Sequence, residues 1–148
     1  MPRNVRSVIV EASADAVWDL VRDFNGLATW FPALPASRIE DGRTPDSVGC
    51  VRRFDLGGGG PPTREKLVTL DDAARSYSYT LVEGPFPARD YLATLRVIAI
   101  HDGGAERSLV EWSNSYDCDP PDEKSLATTF GDQIFAPALA SLRDHFAG

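Results

Sequence analysis

The sequence has little of what builds covalent or metal-bound scaffolds. Of its 148 residues, two are cysteines (Cys50, Cys118) and two are histidines (His101, His145). Two thiols make neither a disulfide framework nor a zinc site, and two distant histidines with no acidic cluster beside them make no metal centre. Free thiols in a cytoplasmic protein, with no metal and no cofactor, are the expectation. Positive charge is also scarce, with 15 Lys and Arg against 22 Asp and Glu and a formal net charge of −7. A nucleic-acid partner normally demands a basic stripe, and an electrostatic membrane anchor a basic cluster, so neither is expected. Long apolar runs are missing too. Val8–Val10 stops at Glu11, too short for a secretory core of ~7–15 residues. The stretch from Tyr91 to Ile100 is broken by Arg96, far from the ~20 residues of a membrane span.

What is present is an ordinary globular composition, 43% hydrophobic and 25% charged. That suits a single domain spanning 1–148 with one core. Low complexity is confined to Gly57-Gly58-Gly59-Gly60-Pro61-Pro62, which reads as a loop tip and flexible rim, since no Lys-Ser/Thr follows it as in a phosphate loop.

The periodicities divide the chain in three. A β-type run holds Val5, Val8, Ile9 and Val10. Ser13 then stands as an N-cap, and Val17, Trp18, Leu20, Val21 and Phe24 follow at helical spacing until Gly26. One more turn is expected over Leu27–Phe31 before Pro32. From 37 to 117, Val, Tyr, Thr and Leu alternate with polar residues between Gly, Pro and Asp turns, as about six strands do. After a cap at Asp122, apolar residues recur every fourth position at Leu126, Phe130, Ile134, Ala138, Leu142 and Phe146. The spacing predicts an amphipathic helix of ~24 residues kinked near 133 by Pro137. Strands grouped apart from helices imply an α+β fold with an antiparallel sheet.

Loop centres set hairpin registers, because partners across a hairpin have a constant index sum. The turn at Gly103-Gly104 pairs Arg96 with Glu111 and Leu95 with Trp112. The glycine run pairs Arg52 with Glu65 and Phe54 with Thr63. A three-residue turn at Asp71–Ala73 pairs Glu65 with Tyr79 and Leu67 with Tyr77, and a turn about Pro85 sets Tyr79 opposite Tyr91. Cross-strand partners share a face. One face is then apolar and aromatic, and the other, with Arg53, Lys66, Ser78, Thr80 and Arg96, is solvent. The C-terminal helix is the only element long enough to cover the first.

That inward face carries a charged pair, Arg52 and Glu65, with the phenols of Tyr79 and Tyr91 beside it. Two readings follow from the residues alone: a structural ion pair at the sheet edge, or the polar end of an aromatic-walled pocket for a small molecule. Cys50 reads as a small core residue, with a narrower case for a thiolate activated by Arg52. Trp30 is a packing residue that could border the mouth, and His101 and His145 are exposed positions at a turn and a helix end.

The blocks Val17-Trp18-Asp19-Leu20, Trp30-Phe31-Pro32, Gly49-Cys50-Val51-Arg52, Glu65-Lys66-Leu67-Val68, Tyr77-Ser78-Tyr79 and Asp90-Tyr91 arrive in an order that resembles the START-like (SRPBCC, polyketide cyclase/dehydrase) superfamily. Residues 49–94 look most like its branch containing lachrymatory-factor synthase. The resemblance implies a helix-grip fold: a curved antiparallel sheet of about seven strands around a long C-terminal helix, two short helices after the first strand, and an internal cavity. It implies a small hydrophobic or amphipathic ligand, no cofactor, and either cofactor-free lyase, isomerase or cyclase chemistry or plain carriage. It carries catalytic roles onto Arg52 and Glu65, and pocket roles onto Tyr79 and Tyr91. Trp112, Asn114, Phe54 and Leu67 on the same face, with Phe130 and Ile134 of the helix, complete the ligand-binding candidates. The loop from Asp55 to Thr63 is shorter than the synthase's and lacks its acidic and aromatic residues, so the ligand need not be shared.

Overall fold

In the computed structural model, which describes residues 1–55 and 59–147, seven antiparallel strands form one sheet in the order β1-β7-β6-β5-β4-β3-β2. The strands are β1 (Arg3–Val10), β2 (Arg38–Ile39), β3 (Val51–Phe54), β4 (Thr63–Asp71), β5 (Ser76–Glu83), β6 (Arg89–Ile100) and β7 (Arg107–Asp117). Two short helices, α1 (Ala14–Val21) and α2 (Leu27–Trp30), follow β1. A continuous helix closes the chain: α3 (Glu123–Ala127), a π-helical stretch Thr128–Phe135, and α4 (Ala136–Phe146). This is the α+β helix-grip arrangement expected. No helix among the described residues is long and apolar enough to cross a membrane.

Helix α1 begins where expected, with the Ser13 hydroxyl accepting from the Ala16 N–H. It ends earlier, at Val21, because the Asp23 carboxylate accepts the Asn25 N–H and holds a turn instead. Phe24 therefore sits in that turn, fully buried, rather than on the helix. Trp18 Nε1 and Arg22 Nε both donate to Asp72 Oδ1, at 2.8 Å each, and pin α1 to the β4–β5 turn.

The β6–β7 and β3–β4 registers are those read from the sequence. The other two differ. The β4–β5 loop is four residues, Asp72–Arg75, with Arg75 at φ 52, so Asp71 pairs with Ser76 and Leu70 with Tyr77. A bulge between Leu67 and Thr69 then resets the ladder, leaving Leu67 opposite Tyr79 and Glu65 opposite Leu81. Across β5–β6, Tyr79 faces Ala93, not Tyr91. Beyond the bulge both errors amount to two residues. A slip of one would exchange faces, whereas a slip of two does not. Glu65, Leu67, Tyr79 and Tyr91 thus all remain on the inner face. Ser78 is a correction on the outer one: it is buried, its hydroxyl paired with that of Thr69.

The helix over the sheet departs from a uniform α-helix where Pro137 forbids one. Proline has no N–H to give and its ring crowds the carbonyl four residues back. The chain answers with wide π turns before it, the Ala136 N–H donating to the Gly131 carbonyl. Asp122 makes no side-chain cap; a 3₁₀ turn, Pro120–Asp122, leads in instead. Below that stretch, Ala138, Leu139 and Leu142 are buried in the core. Leu142→Ala is expected to cost about 2–5 kcal/mol in urea unfolding. Ile134→Ala, on a half-buried side chain beside open space, is expected to cost clearly less. Equal losses would show that the helix packs with no space beneath it.

Candidate functional site

Between the inner face of the sheet, α2 and the π-helical stretch lies a cavity of about 300 Å³. Its geometry starts from the sheet. Arg52 and Glu65 are cross-strand partners on β3 and β4, with Phe54 and Thr63 the next pair on the same face. Arg52 is fully buried. Its Nε donates to Glu65 Oε1 at 2.9 Å, and its Nη1 donates to the Phe24 carbonyl at 3.0 Å. The guanidinium lies 4.0 Å from the centre of the Phe24 ring and 4.7 Å from that of Tyr79. Burial alone would draw the Arg52 pKa down, but the Glu65 carboxylate and then the tyrosine oxygens outweigh it, and the guanidinium stays charged. Among the described residues its remaining nitrogen, Nη2, is buried without a hydrogen bond, although the Tyr77 hydroxyl lies close enough to the guanidinium for each to shift the other's titration, and the buried Thr63 hydroxyl has no partner either. Arg52 and Thr63 both line the cavity. Buried donors left unpaired are uncommon in folded proteins.

The wall is aromatic. Tyr79, Tyr91 and Trp112 line it from the sheet, and Phe130 and Ile134 from the helix. Trp112 stacks on Phe135 at 4.6 Å between ring centres. Trp112 Nε1 donates to the Tyr79 hydroxyl at 3.1 Å, and Asn114 Nδ2 donates to the Tyr91 hydroxyl at 3.2 Å. Burial pushes both phenols up, Tyr79 well above its ordinary value.

Arg52, Glu65, Phe54, Tyr79, Tyr91, Trp112, Phe130 and Ile134 all reach the cavity, as expected. Two candidates do not. Leu67 is core, two residues farther along β4 than Glu65, and Asn114 stands behind Tyr91. Trp30 is also buried away from the lining, its carbonyl accepting from the Ser141 hydroxyl. The Cys50 thiol is pushed up by burial and does not line the cavity, which leaves it a core residue. Of the expected glycine rim, Gly57 and Gly58 lie outside the described residues, and Gly59 and Gly60 are exposed and not part of the lining.

Sequence reasoning missed Phe31 and Leu34 after α2, Phe86 in the β5–β6 loop, and Gln133 and Phe135. The apolar character of Phe31, Leu34 and Phe86 in loops was the available signal. Gln133 gave no signal because it is polar, although three residues from Phe130 it shares that face. Phe135 only adjoins the four-residue stripe, and five residues from Phe130 it is brought round to the same side by the π turns. Among the described residues, no group of three or more His, Cys, Asp or Glu side chains could hold a metal ion. Chemically, the site offers a carboxylate, a fixed cation with a free N–H, and phenolic donors in a water-poor aromatic wall.

A family model described as polyketide cyclase / dehydrase and lipid transport matches residues 1–147. A solution structure of a Thermobifida fusca protein is similar at 33% identity and TM-score 0.88, over 99% of this chain and 93% of that one. Norcoclaurine synthase from Thalictrum flavum shares the fold at 19% identity and TM-score 0.73, over 97% of this chain and 91% of that one. So does the di-domain ARO/CYC BexL of the BE-7585A biosynthetic pathway, at 19% identity and TM-score 0.76. That match covers 97% of this chain and 46% of BexL. The superfamily read from the sequence blocks is the one found. The narrower likeness to lachrymatory-factor synthase rests on those blocks.

All four tyrosines, Tyr77, Tyr79, Tyr91 and Tyr116, have phenols raised above the ordinary 10.0, in each case chiefly by burial. The folded state therefore favours the neutral phenol. The stability this contributes is complete below pH 10.0 and is lost as pH rises through the folded values. Phenolate absorbance is expected to appear together with loss of the near-ultraviolet circular dichroism. Smooth titration near pH 10.0 in a protein that keeps its dichroism would contradict the burial described.

Proposed function

Because the chain belongs to the polyketide cyclase / dehydrase and lipid transport family, we propose that it binds a small, mostly apolar molecule in its cavity and acts on it by cofactor-free acid–base chemistry. The observation that carries this is the unpartnered Arg52 Nη2, buried beside Glu65 at the wall of an aromatic cavity. In such surroundings a hydrogen bond to developing negative charge is worth far more than in water. The Glu65 carboxylate takes a proton from the ligand, the electron pair moves onto an oxygen held by Arg52 Nη2, and Glu65 returns the proton at another position. The sum is a proton-shift isomerisation; where the enolate carbon instead attacks a second carbonyl of the same ligand and Glu65 gives its proton to the new alkoxide, the sum is a ring closure with no group lost. Cyclase chemistry in the family description and the fold shared with norcoclaurine synthase and BexL support this reading.

A second reading is carriage of a hydrophobic ligand, with Arg52 and Glu65 purely structural. The two bonds and three aromatic rings already engaged by the guanidinium favour it. Thermal shift against bicyclic aromatic ketones, phenols and carboxylates is expected to raise Tm. A rise with polyphosphates or nucleic acid alone would end both readings. For a ligand found this way, or retained from the native source in native mass spectrometry, Glu65→Gln is expected to keep affinity within a few-fold and abolish conversion. A wild type that binds the ligand and returns it unchanged would leave carriage.

A further inference from the structure

Behind Tyr91 runs a buried chain of side chains that the acid–base reading does not use. Asn4 on β1 donates from Nδ2 to Asn114 Oδ1 at 3.0 Å and to the Tyr116 hydroxyl at 3.1 Å. Asn114 on β7 then donates from its own Nδ2 to the Tyr91 hydroxyl. Asn4 and Asn114 are both buried, and the three strands involved are neighbours in the sheet. The chain has a direction. With its carbonyl taken by Asn4, Asn114 presents only N–H to Tyr91.

A phenolic oxygen carries one proton and accepts through its lone pairs. At Tyr91 the Asn114 amide occupies the accepting side, and burial keeps the phenol protonated. No hydrogen bond from its proton is assigned among the described residues; the neighbouring phenol oxygen, that of Tyr79, accepts from Trp112, and the Tyr91 side chain lines the cavity. We infer that Asn114, held by Asn4, is a positioning residue that makes Tyr91 a hydrogen-bond donor to the ligand, and that the ligand therefore offers a carbonyl, enolate or phenolate oxygen at that wall. The wall at Tyr91 thus favours an acceptor oxygen, while the Glu65 carboxylate supplies the acceptor elsewhere in the lining. The inference rests on the cavity reading and deepens it.

The test uses two probes of nearly one shape, 1-tetralone, which has a carbonyl, and tetralin, which has none. Calorimetric affinities are measured for the wild type, Tyr91→Phe, Asn114→Leu and the double variant. The preference for tetralone over tetralin is expected to fall by roughly 3- to 10-fold in each single variant, the span of one neutral hydrogen bond. The double variant is expected to lose no more than Tyr91→Phe alone, because Asn114 acts through Tyr91. Equal weakening of both probes by Asn114→Leu would make Asn114 a packing residue and overturn the inference, and so would an unchanged preference. Should Asn114→Leu fail to fold, Asn4→Ala at the outer end of the chain is expected to shift the preference in the same direction, and no shift would again overturn it. Binding of neither probe to the wild type would remove the cavity reading itself and this inference with it.

Discussion

A guanidinium without access to water carries a desolvation penalty of several kcal/mol unless its charge and donors are met. At Arg52, three parts of the chain meet them. Glu65 on β4 supplies the opposing charge, the turn after α1 supplies the Phe24 carbonyl, and the rings of Phe24 and Tyr79 close over the faces. The short strand β3, which has only the two-residue β2 on its outer side, is tied by this one side chain both to the sheet and to the helical layer. The bonding stops one donor short. Because Arg52 and Glu65 also line the cavity, the structural tie is its charged pole as well.

The cavity exists because the helix that covers the sheet is close-packed at one end and not at the other. Ala138, Leu139 and Leu142 fill the space under α4. Ahead of Pro137 the π turns widen the helix, so that Phe130, Ile134 and Phe135 form a wall rather than a plug. Gly131 adds a close approach. A Cβ there would lie 2.7 Å from Arg6 Nη2, which reaches across from β1 to Asp132 at 2.7 Å. The widened segment is thereby anchored to the sheet edge while its other side faces open space.

Polarity inside the cavity is organised from behind. Trp112 and Asn114 each donate to a tyrosine oxygen, and neither depends on solvent to do so. Asn114, missing from the lining, stands one layer back from the position assigned to it. A buried polar chain in which Asn4 fixes Asn114 and Asn114 fixes Tyr91 holds these side chains in single orientations, the condition a binding site places on its donors.

The facing of residues was legible in the sequence because strand side chains alternate with period two. That arithmetic put Arg52, Glu65, Tyr79, Tyr91 and Trp112 on one face and survived two wrong registers, since at these residues, beyond the bulge, each slip was even. Helix spacing and a shortage of alternatives identified the covering element. What the sequence could not determine was set by the tertiary structure. The Leu67–Thr69 bulge and the four-residue turn at Asp72–Arg75 follow from how the sheet bends and how Asp72 is captured by Trp18 and Arg22. The π turns are a compromise between Pro137 and packing, and they bring Phe135 to the side of Phe130 and Ile134. The Asn4–Asn114 contact joins residues 110 apart. Hydrogen-bond direction across such a distance is decided by which donors and acceptors the folded strands bring within reach, and no local pattern records it.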